Sequence, residues 1–305
     1  MHDSAHNRPD REQARNAGRD HARERPRNAG RDRDPERARR ERLPIVLTIG
    51  GSDPSGGAGI QADLKTVHAM GGYALSVITA ITAQSSHRVS GWEAVGPEIV
   101  GAQLRALAED FSPDAIKTGM LGNAATVSTV ADFLKDNGWH HRAPLIVDPV
   151  LESTSGRELL DHAGREALRE KLLPLAFACT PNWPEAAALT GIKVVDDESA
   201  ARAGKVLLDA GAQSAIITGG HGAGEASVDV LVTAQATTLI SLPRVRGTAH
   251  GTGCAFASAL AVGLGQGLGI EEAARRAKDH IARALISPLL LGQQSPILDP
   301  FGFRS

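Results

Sequence analysis

The chain has 305 residues, which is long enough for one large α/β domain or two small ones. Its 33 basic and 35 acidic residues nearly cancel, and its two cysteines, Cys179 and Cys254, exclude a disulfide framework and make a reduced, cytoplasmic setting the expectation. No apolar run approaches the ~18 residues of a membrane span, and no apolar segment follows the N-terminus as in a secretory signal, so we expect neither a membrane partner nor secretion.

The first 43 residues differ in composition from the rest of the chain. They hold 13 arginines, no lysine and 9 acidic residues, and they repeat Arg-Asn-Ala-Gly-Arg-Asp at 15–20 and 27–32. Because large apolar side chains are almost absent, residues 1–43 are predicted to be a disordered, low-complexity, Arg-rich tail; a translation start placed too far upstream is the alternative. The remaining 20 basic and 26 acidic residues give 44–305 an acidic balance, which argues against nucleic acid as a partner.

Secondary structure is predicted to alternate between strand and helix from Pro44 onward. Strands are predicted at 45–49, 74–83, 115–118, 144–147 and 215–218, with a hairpin at 227–233 and 237–242. Helices are predicted at 60–70, 97–110, 123–136, 158–173, 184–190, 198–210, after Cys254 and at 271–287. This alternation predicts a single α/β domain over 44–305, with a mostly parallel central sheet and helices on both faces.

Glycine-rich and polar clusters follow the predicted strands, at 50–59, 117–122, 148–156, 180–185 and 218–224. Parallel sheets bind ligands outside the carboxyl ends of their strands. We therefore expect these clusters to meet at one edge of the sheet and to form one site there.

A Gly-Thr-Gly-Cys run opens the helix near the C-terminus. The backbone N–H groups of Gly251, Thr252 and Gly253 and the helix dipole would form an anion cradle, most often used for phosphate. Cys254 lies in the first turn, where the same field favours its thiolate. A tight turn followed by a small, buried, inert cysteine is the alternative.

Other catalytic patterns fit the sequence poorly. The run 57–62 formally matches G-x-G-x-x-G/A, but no acidic residue lies between Asp63 and Glu93 to bind a ribose, and the loop is too long for that motif. Neither a P-loop nor a G-x-S-x-G turn occurs, and His221 and His250 lack neighbouring ligands for a metal site. Asp63 could serve only to favour the helix dipole, if it lies in the first turn.

Two acidic clusters suit a magnesium–nucleotide site. Asp148 ends a predicted strand, and Glu185 begins a helix that Asn182 is predicted to cap. Carboxylates hold Mg²⁺ directly or through its waters, usually together with substrate phosphates. Each cluster alone is also explained by capping, so the inference depends on both occurring beside the anion cradle.

Six motifs, in order over about 44–290, resemble those of the ribokinase-type kinases, and more narrowly the hydroxymethylpyrimidine/phosphomethylpyrimidine kinases of thiamine biosynthesis. The motifs are the residues 51–66, 79–84, 117–121, 147–150, 180–187 and 250–254. The resemblance implies a ribokinase-like three-layer sandwich, ATP and Mg²⁺ as cofactors, a small pyrimidine as substrate, and a homodimer.

The resemblance also implies a role for each matching residue on the substrate side. Asp63 and Gln84 would hydrogen-bond the ring nitrogens and amine of the pyrimidine. Met120, Val150 and Gly51 would line the same pocket.

On the phosphate side, the resemblance makes Cys254 the candidate base and residues 251–253 the anion hole. Asp148 and Glu185 match acidic positions near magnesium and phosphates. Asn182, Thr218 and Gly220 match the nucleotide side.

One departure from the family lies in the run 218–221. The family commonly has Lys-Gly-Gly-His there, and this chain has Thr218 in place of the lysine, so a neutral hydroxyl replaces a cation that meets the nucleotide phosphates. The implied function is ATP-dependent phosphorylation of 4-amino-5-hydroxymethyl-2-methylpyrimidine and then of its monophosphate. A pyridoxal or pyridoxine kinase and a non-catalytic pyrimidine-binding protein of the same fold are the alternatives.

Overall fold

The computed structural model describes residues 43–302 except 154, 223, 246, 248 and 294. The predicted tail at 1–43 therefore lies outside the described residues, apart from Leu43. No helix in the part of the chain that the structure describes is long and apolar enough to cross a membrane.

Nine strands form one sheet in the order β3-β2-β1-β4-β5-β6-β7-β8-β9 among the described residues. The strands β1, β2 and β4 to β7 pair in parallel, and β3, β8 and β9 run antiparallel at the two sides. The strands are β1 Ile45–Ser52, β2 Tyr73–Gln84, β3 Val89–Ala94, β4 Ala115–Thr118, β5 Leu145–Val147, β6 Ala178–Cys179, β7 Ser214–Ile217, β8 Ala226–Thr233 and β9 Thr237–Pro243.

Helices connect the parallel strands and cover both faces of the sheet. A π-helical turn Leu168–Leu172 and a 3₁₀ turn Leu173–Leu175 follow the helix His162–Ala167. The helices are α1 Gly59–Ala69, α2 Pro97–Ala108, α3 Ala124–Asp136, α4 Trp139–Arg142, α5 His162–Ala167, α6 Trp183–Thr190, α7 Asp197–Asp209, α8 Thr252–Gly265 and α9 Ile270–Ile286.

Alternating side chains of the central strands divide the interior into two apolar cores. Val46 packs with residues of α1, α8 and α9 on one face, and Leu47 packs with residues of α2, α3, α6 and α7 on the other. Ile146 and Val147 of β5 divide in the same way. This two-residue period, with a helical layer on each side, gives the predicted three-layer α/β sandwich.

The predicted elements are confirmed in most places and corrected in a few. The segment predicted as one helix over 158–173 begins only at His162, because Asp161 accepts a hydrogen bond from the Gly164 N–H and caps the helix there. Sequence patterns missed β3, which contains Gly91 and is paired only with β2, and β6, which has two residues. They also missed the one-turn helix α4.

The strand β1 is irregular where the predicted site begins. Its pairing with β2 shifts register between Gly50 and Gly51. The chain then leaves the sheet and forms the loop 53–58 before α1, so this loop starts at the carboxyl edge.

Candidate active site

The polar clusters that follow the parallel strands lie side by side, as predicted. The backbone N–H of Gly119 donates to the Ile49 carbonyl at 2.8 Å, and the N–H of Asp148 donates to the Thr118 carbonyl at 3.0 Å. In the same way, the N–H of Thr180 donates to the Val147 carbonyl at 3.0 Å. These bonds extend the sheet past its strands and hold the clusters along one edge.

The anion cradle is formed at the start of α8. Gly251 has φ +89°, and a Cβ atom at this position would collide with the carbonyl oxygen of Gly57, so glycine lets α8 begin against the loop 53–58. No side chain caps the helix, and a Cβ at Gly253 would meet nothing within 4 Å. The first N–H groups of α8 therefore have no side-chain partner among the described residues, as an anion site requires.

Cys254 lies in the first turn of α8, and its surroundings oppose the predicted thiolate. Burial raises the pKa of the Cys254 thiol to about 12, and the charges of Asp148 and Asp63 add to this, against the opposing effects of Lys117 and the Gly59 N–H. The helix terminus alone would favour the thiolate, but desolvation outweighs it. Cys254, whose side chain is only partly exposed, is therefore expected to keep its proton at neutral pH beside the charge of Asp148.

A buried ion cluster, which sequence reasoning missed, lies beneath this thiol. The ammonium of Lys117 is 3.0 Å from Oδ1 of Asp63 and 3.4 Å from Oδ2 of Asp148. Burial by itself would lower the pKa of Lys117, but the charges of Asp63 and Asp148 outweigh it and raise the pKa, so the lysine stays protonated. One sequence signal was available, since a lysine in the middle of a short buried strand needs a charged partner.

Asp63 has a different role from the predicted one. Its side chain has no exposed surface, and its carboxylate accepts hydrogen bonds from Lys117, Thr48 and Ser258. Those partners leave no free edge for the ring nitrogens or amine of a pyrimidine. The dipole alternative is also wrong, because α1 begins at Gly59 and has no acidic residue in its first turn.

Asp148 and Glu185 are the acidic pair at the ends of β5 and β6. Burial raises the pKa of Asp148, and its Oδ2 accepts no hydrogen bond from the described residues. Burial and the charge of Asp148 raise the pKa of Glu185 to about 8. The two carboxylates therefore lie close enough to oppose each other's ionisation, and the ammonium of Lys117 partly offsets this at Asp148.

Asn182 forms the predicted cap of α6. Its Oδ1 accepts the Glu185 N–H at 3.0 Å, and Oε2 of Glu185 accepts the Asn182 N–H at 2.9 Å. This reciprocal pair orients Glu185 and uses only one of its two oxygens.

Gln84 lies next to the cradle through a contact with His250. Its Nε2 is 2.7 Å from Nε2 of His250, which is also 3.3 Å from Oδ2 of Asp53. Burial alone would raise the pKa of Asp53, but hydrogen bonds involving His250 and Ser55 lower it overall. These contacts hold the end of β2, the loop 53–58 and the residue before the cradle in one place.

Met120, Val150 and Gly51 come together beside this cluster. Met120 packs with Ala80, and Val150 packs against the same small apolar group. A Cβ at Gly51 would lie 2.9 Å from the Met120 sulfur, so the absence of a side chain makes room for it. The structure thus brings together three of the five residues that the resemblance placed around a pyrimidine.

Thr218 and Gly220 lie at the next strand end. The Thr218 N–H donates to the Pro181 carbonyl at 3.0 Å, and Thr218 pairs with Asn182 in an isolated parallel β-bridge. Gly220 is exposed. Within the described part of the chain, no three His, Cys, Asp or Glu side chains are grouped as a metal site.

Known proteins are similar to this chain in both sequence and fold. A family model described as phosphomethylpyrimidine kinase matches residues 53–299. A hydroxymethylpyrimidine/phosphomethylpyrimidine kinase of Streptomyces coelicolor is 45% identical over 251 residues, 82% of this chain and 91% of the relative.

Solved structures give a similar result. A phosphomethylpyrimidine kinase from Clostridium difficile 630 matches with a TM-score of 0.70 at 38% identity, covering 80% of this chain and all of that one. The ADP complex of Bacillus subtilis pyridoxal kinase matches with a TM-score of 0.77 at 31% identity, covering 85% of this chain and 97% of that one.

Proposed function

Because the chain belongs to the phosphomethylpyrimidine kinase family, we propose that it transfers the terminal phosphoryl group of ATP to 4-amino-5-hydroxymethyl-2-methylpyrimidine and then to the resulting monophosphate. The observation that carries the proposal is the uncapped start of α8, with Cys254 in its first turn and Asp148 next to that thiol. An open anion site beside a polar group that can meet a hydroxyl is what phosphoryl transfer to an alcohol requires.

Electrostatics and positioning explain the transfer. The transferred group carries its charge on oxygen atoms, and the N–H groups at residues 252–254 point to one place where those oxygens would be stabilised. The site needs no change in its own charge at the moment of reaction, because these donors are fixed by the helix. The substrate oxygen forms a bond to phosphorus as the bond from phosphorus to the ADP oxygen breaks, and the proton of the attacking hydroxyl passes to water or to an oxygen of the transferred phosphate.

Cys254 orients the attacking hydroxyl in this proposal. A thiol with a pKa of about 12 is a poor base at neutral pH, but its sulfur can accept a hydrogen bond from the attacking hydroxyl. A loose transition state places little demand on a base, so orientation accounts for most of the role.

Gln84, Met120, Val150 and Gly51 are proposed to bind the pyrimidine. Gln84 supplies an amide for the polar edge of the ring, and the other three supply a small apolar wall. Asp63 contributes from beneath, by holding Lys117 in place rather than by contact with substrate.

Asp148 and Glu185 fit a magnesium ion that is bound mainly through water and phosphates. Asp148 has an oxygen that accepts no hydrogen bond from the described residues, and burial raises the pKa of both acids, so further positive charge beside them would be favourable. When bound there, magnesium would neutralise part of the charge of the transferring phosphates. On the nucleotide side, Asn182 holds Glu185, and Thr218 and Gly220 line the next loop.

The assembly and location belong to the same proposal. We place 44–305 in one kinase domain, acting as a cytoplasmic homodimer, with 1–43 as an appended tail. Gel filtration with light scattering measures the dimer directly.

A coupled ATP assay tests the function. The expected result is magnesium-dependent ADP release with the hydroxymethylpyrimidine and with its monophosphate, and product masses that rise by one phosphate in each step. ADP release with pyridoxal alone would favour the second candidate, which rests on the similarity to the B. subtilis pyridoxal kinase. Binding of the pyrimidine with no turnover would identify a non-catalytic binding protein.

A further inference from the structure

The loop 218–224, which the structure describes except for residue 223, follows β7 at the proposed nucleotide side of the site and begins with a neutral residue. Thr218 is fixed beside Asn182, so the loop starts next to the N-terminus of α6. A polyphosphate bound between this loop and the cradle of α8 requires positive charge, because phosphates in a site of low polarity are costly without it. Thr218 supplies none.

Arg244, which follows β9, donates four hydrogen bonds to backbone carbonyls, three of them in this loop and one at the start of β8. Its Nε donates to Gly224 at 2.8 Å, and its Nη1 donates to Gly220 at 2.9 Å. Its Nη2 donates to Ala226 at 3.0 Å and to Gly219 at 3.4 Å. Because a guanidinium has five N–H groups, one on Nη1 is left over.

A second ion pair holds the same loop from the other side. Asp229 accepts the Gly219 N–H at 2.8 Å, and Lys278 lies 2.8 Å from the same oxygen. The charge of Asp229 is thus matched by Lys278. Arg244 forms no ion pair with a carboxylate of the described residues, so its charge is not neutralised by the protein there.

The guanidinium also lies close to the start of α6. A Cβ at Gly222 would be 3.3 Å from Nη2 of Arg244 and 3.7 Å from the ring of Trp183. Trp183 directly follows Asn182, so the arginine and the proposed nucleotide side share this loop.

We propose that Arg244 is the cation of the nucleotide site: it shapes the loop 218–224 through the loop carbonyls and presents its unmatched charge and remaining N–H to the phosphates of ATP. This inference rests on the proposed kinase function. Arg244 thereby fulfils at a different position the requirement that the neutral Thr218 leaves unmet.

The test measures nucleotide binding separately from turnover. Calorimetry with ADP and magnesium chloride gives Kd for the full chain and for Arg244→Gln, Arg244→Lys and the double variant Thr218→Lys/Arg244→Gln. Arg275→Gln is the matched control, because Arg275 is an exposed arginine of α9 paired with Glu271. Thermal unfolding of each variant identifies those that do not fold.

The proposal predicts that Arg244→Gln weakens ADP binding by roughly tenfold or more, the scale of a lost charge-assisted contact. In the assay, KM for ATP rises while KM for the pyrimidine stays within about twofold. The lysine at 218 in the double variant restores at least part of the ADP affinity, and Arg275→Gln leaves it unchanged.

Two results would overturn the proposal. One is an unchanged Kd for ADP in a folded Arg244→Gln. The other is an equal loss of ADP affinity in Arg244→Gln and Arg244→Lys, with no recovery in the double variant. That pattern would show that Arg244 only fixes the shape of the loop and that its charge does not contribute to ADP binding. If the Gln variant does not fold, Arg244→Lys decides alone, with a Kd within about threefold of wild type supporting the role of charge and a tenfold rise contradicting it. A wild-type protein that binds ADP but phosphorylates neither pyrimidine refutes the kinase function and leaves this measurement valid.

Discussion

The ammonium of Lys117 and the carboxylate of Asp63 form an ion pair of 3.0 Å in which neither side chain is more than 1% exposed. The pair joins β4 to α1, and Lys117 reaches from it to Asp148 at the edge of the sheet. The electrostatics of the candidate site therefore depend on charges that are buried beneath its surface.

Breaking this pair is expected to destabilise the fold. Asp63→Asn or Lys117→Met leaves a buried charge without its main partner, at a cost of about 3–5 kcal/mol. Urea unfolding measures the loss, and the double variant Lys117→Met/Asp63→Asn is expected to lose less than the sum of the two. An Asp63→Asn protein of wild-type stability with a raised KM for the pyrimidine would instead return Asp63 to the substrate site.

Removing the thiol of Cys254 is expected to reduce turnover without unfolding the protein. Cys254→Ala loses the group that orients the hydroxyl, and we expect kcat to fall roughly a hundredfold, the scale of a misplaced reactant. Cys254→Ser keeps a hydrogen-bonding group at the same place and is expected to retain more activity than the alanine variant. Near-wild-type turnover in Cys254→Ala would remove this residue from the mechanism.

Alkylation of Cys254 reports its protonation state. Burial raises the pKa of the thiol to about 12, so the reactive thiolate is scarce at pH 8 and grows about tenfold per pH unit above it. Iodoacetamide labelling followed by mass spectrometry should give a rate that is still rising at pH 10. A plateau below pH 8 would show that the helix terminus outweighs burial. Cys179, which is completely buried, serves as the internal control.

Asp53 is expected to make the free energy of unfolding depend on pH. Hydrogen bonds involving His250, Ser55 and the backbone hold the pKa of Asp53 below its usual 3.8, despite burial. A lowered pKa stabilises the folded state above the unfolded value, and this contribution is lost as pH falls through the folded value. Asp53→Asn should therefore be less stable than wild type at pH 7, with a difference that shrinks below about pH 4. Thermal unfolding of both proteins across pH 3–7 measures it, and a constant difference would contradict this account.

Sequence patterns predicted the layers of the fold because the required information is local. Alternating apolar residues mark each long strand, and Pro97 and Asn123 mark the beginnings of helices. β6 could not be found in this way, because two residues show no period. β3 was missed because it contains Gly91 and lies at the side of the sheet.

The site was predicted less completely, for a different physical reason. Loop positions follow from the order of the strands, so the meeting of the cradle with Asp148 and Glu185 could be anticipated. The pairing of Lys117 with Asp63 joins residues 54 positions apart, and no spacing rule indicates it. The same limitation applies to Cys254, since the sequence shows its helix terminus but not its degree of burial.

The close contact between Gly251 and Gly57 has a consequence for the order of synthesis. The two glycines are separated by most of the chain, and the His250 N–H is held by the carbonyl of Pro296. A nascent polypeptide leaves the ribosome from its N-terminus and folds as its segments emerge. The first glycine loop therefore waits for almost the entire domain to be translated before its partner arrives, so catalytic competence is gained only in the last stage of biosynthesis.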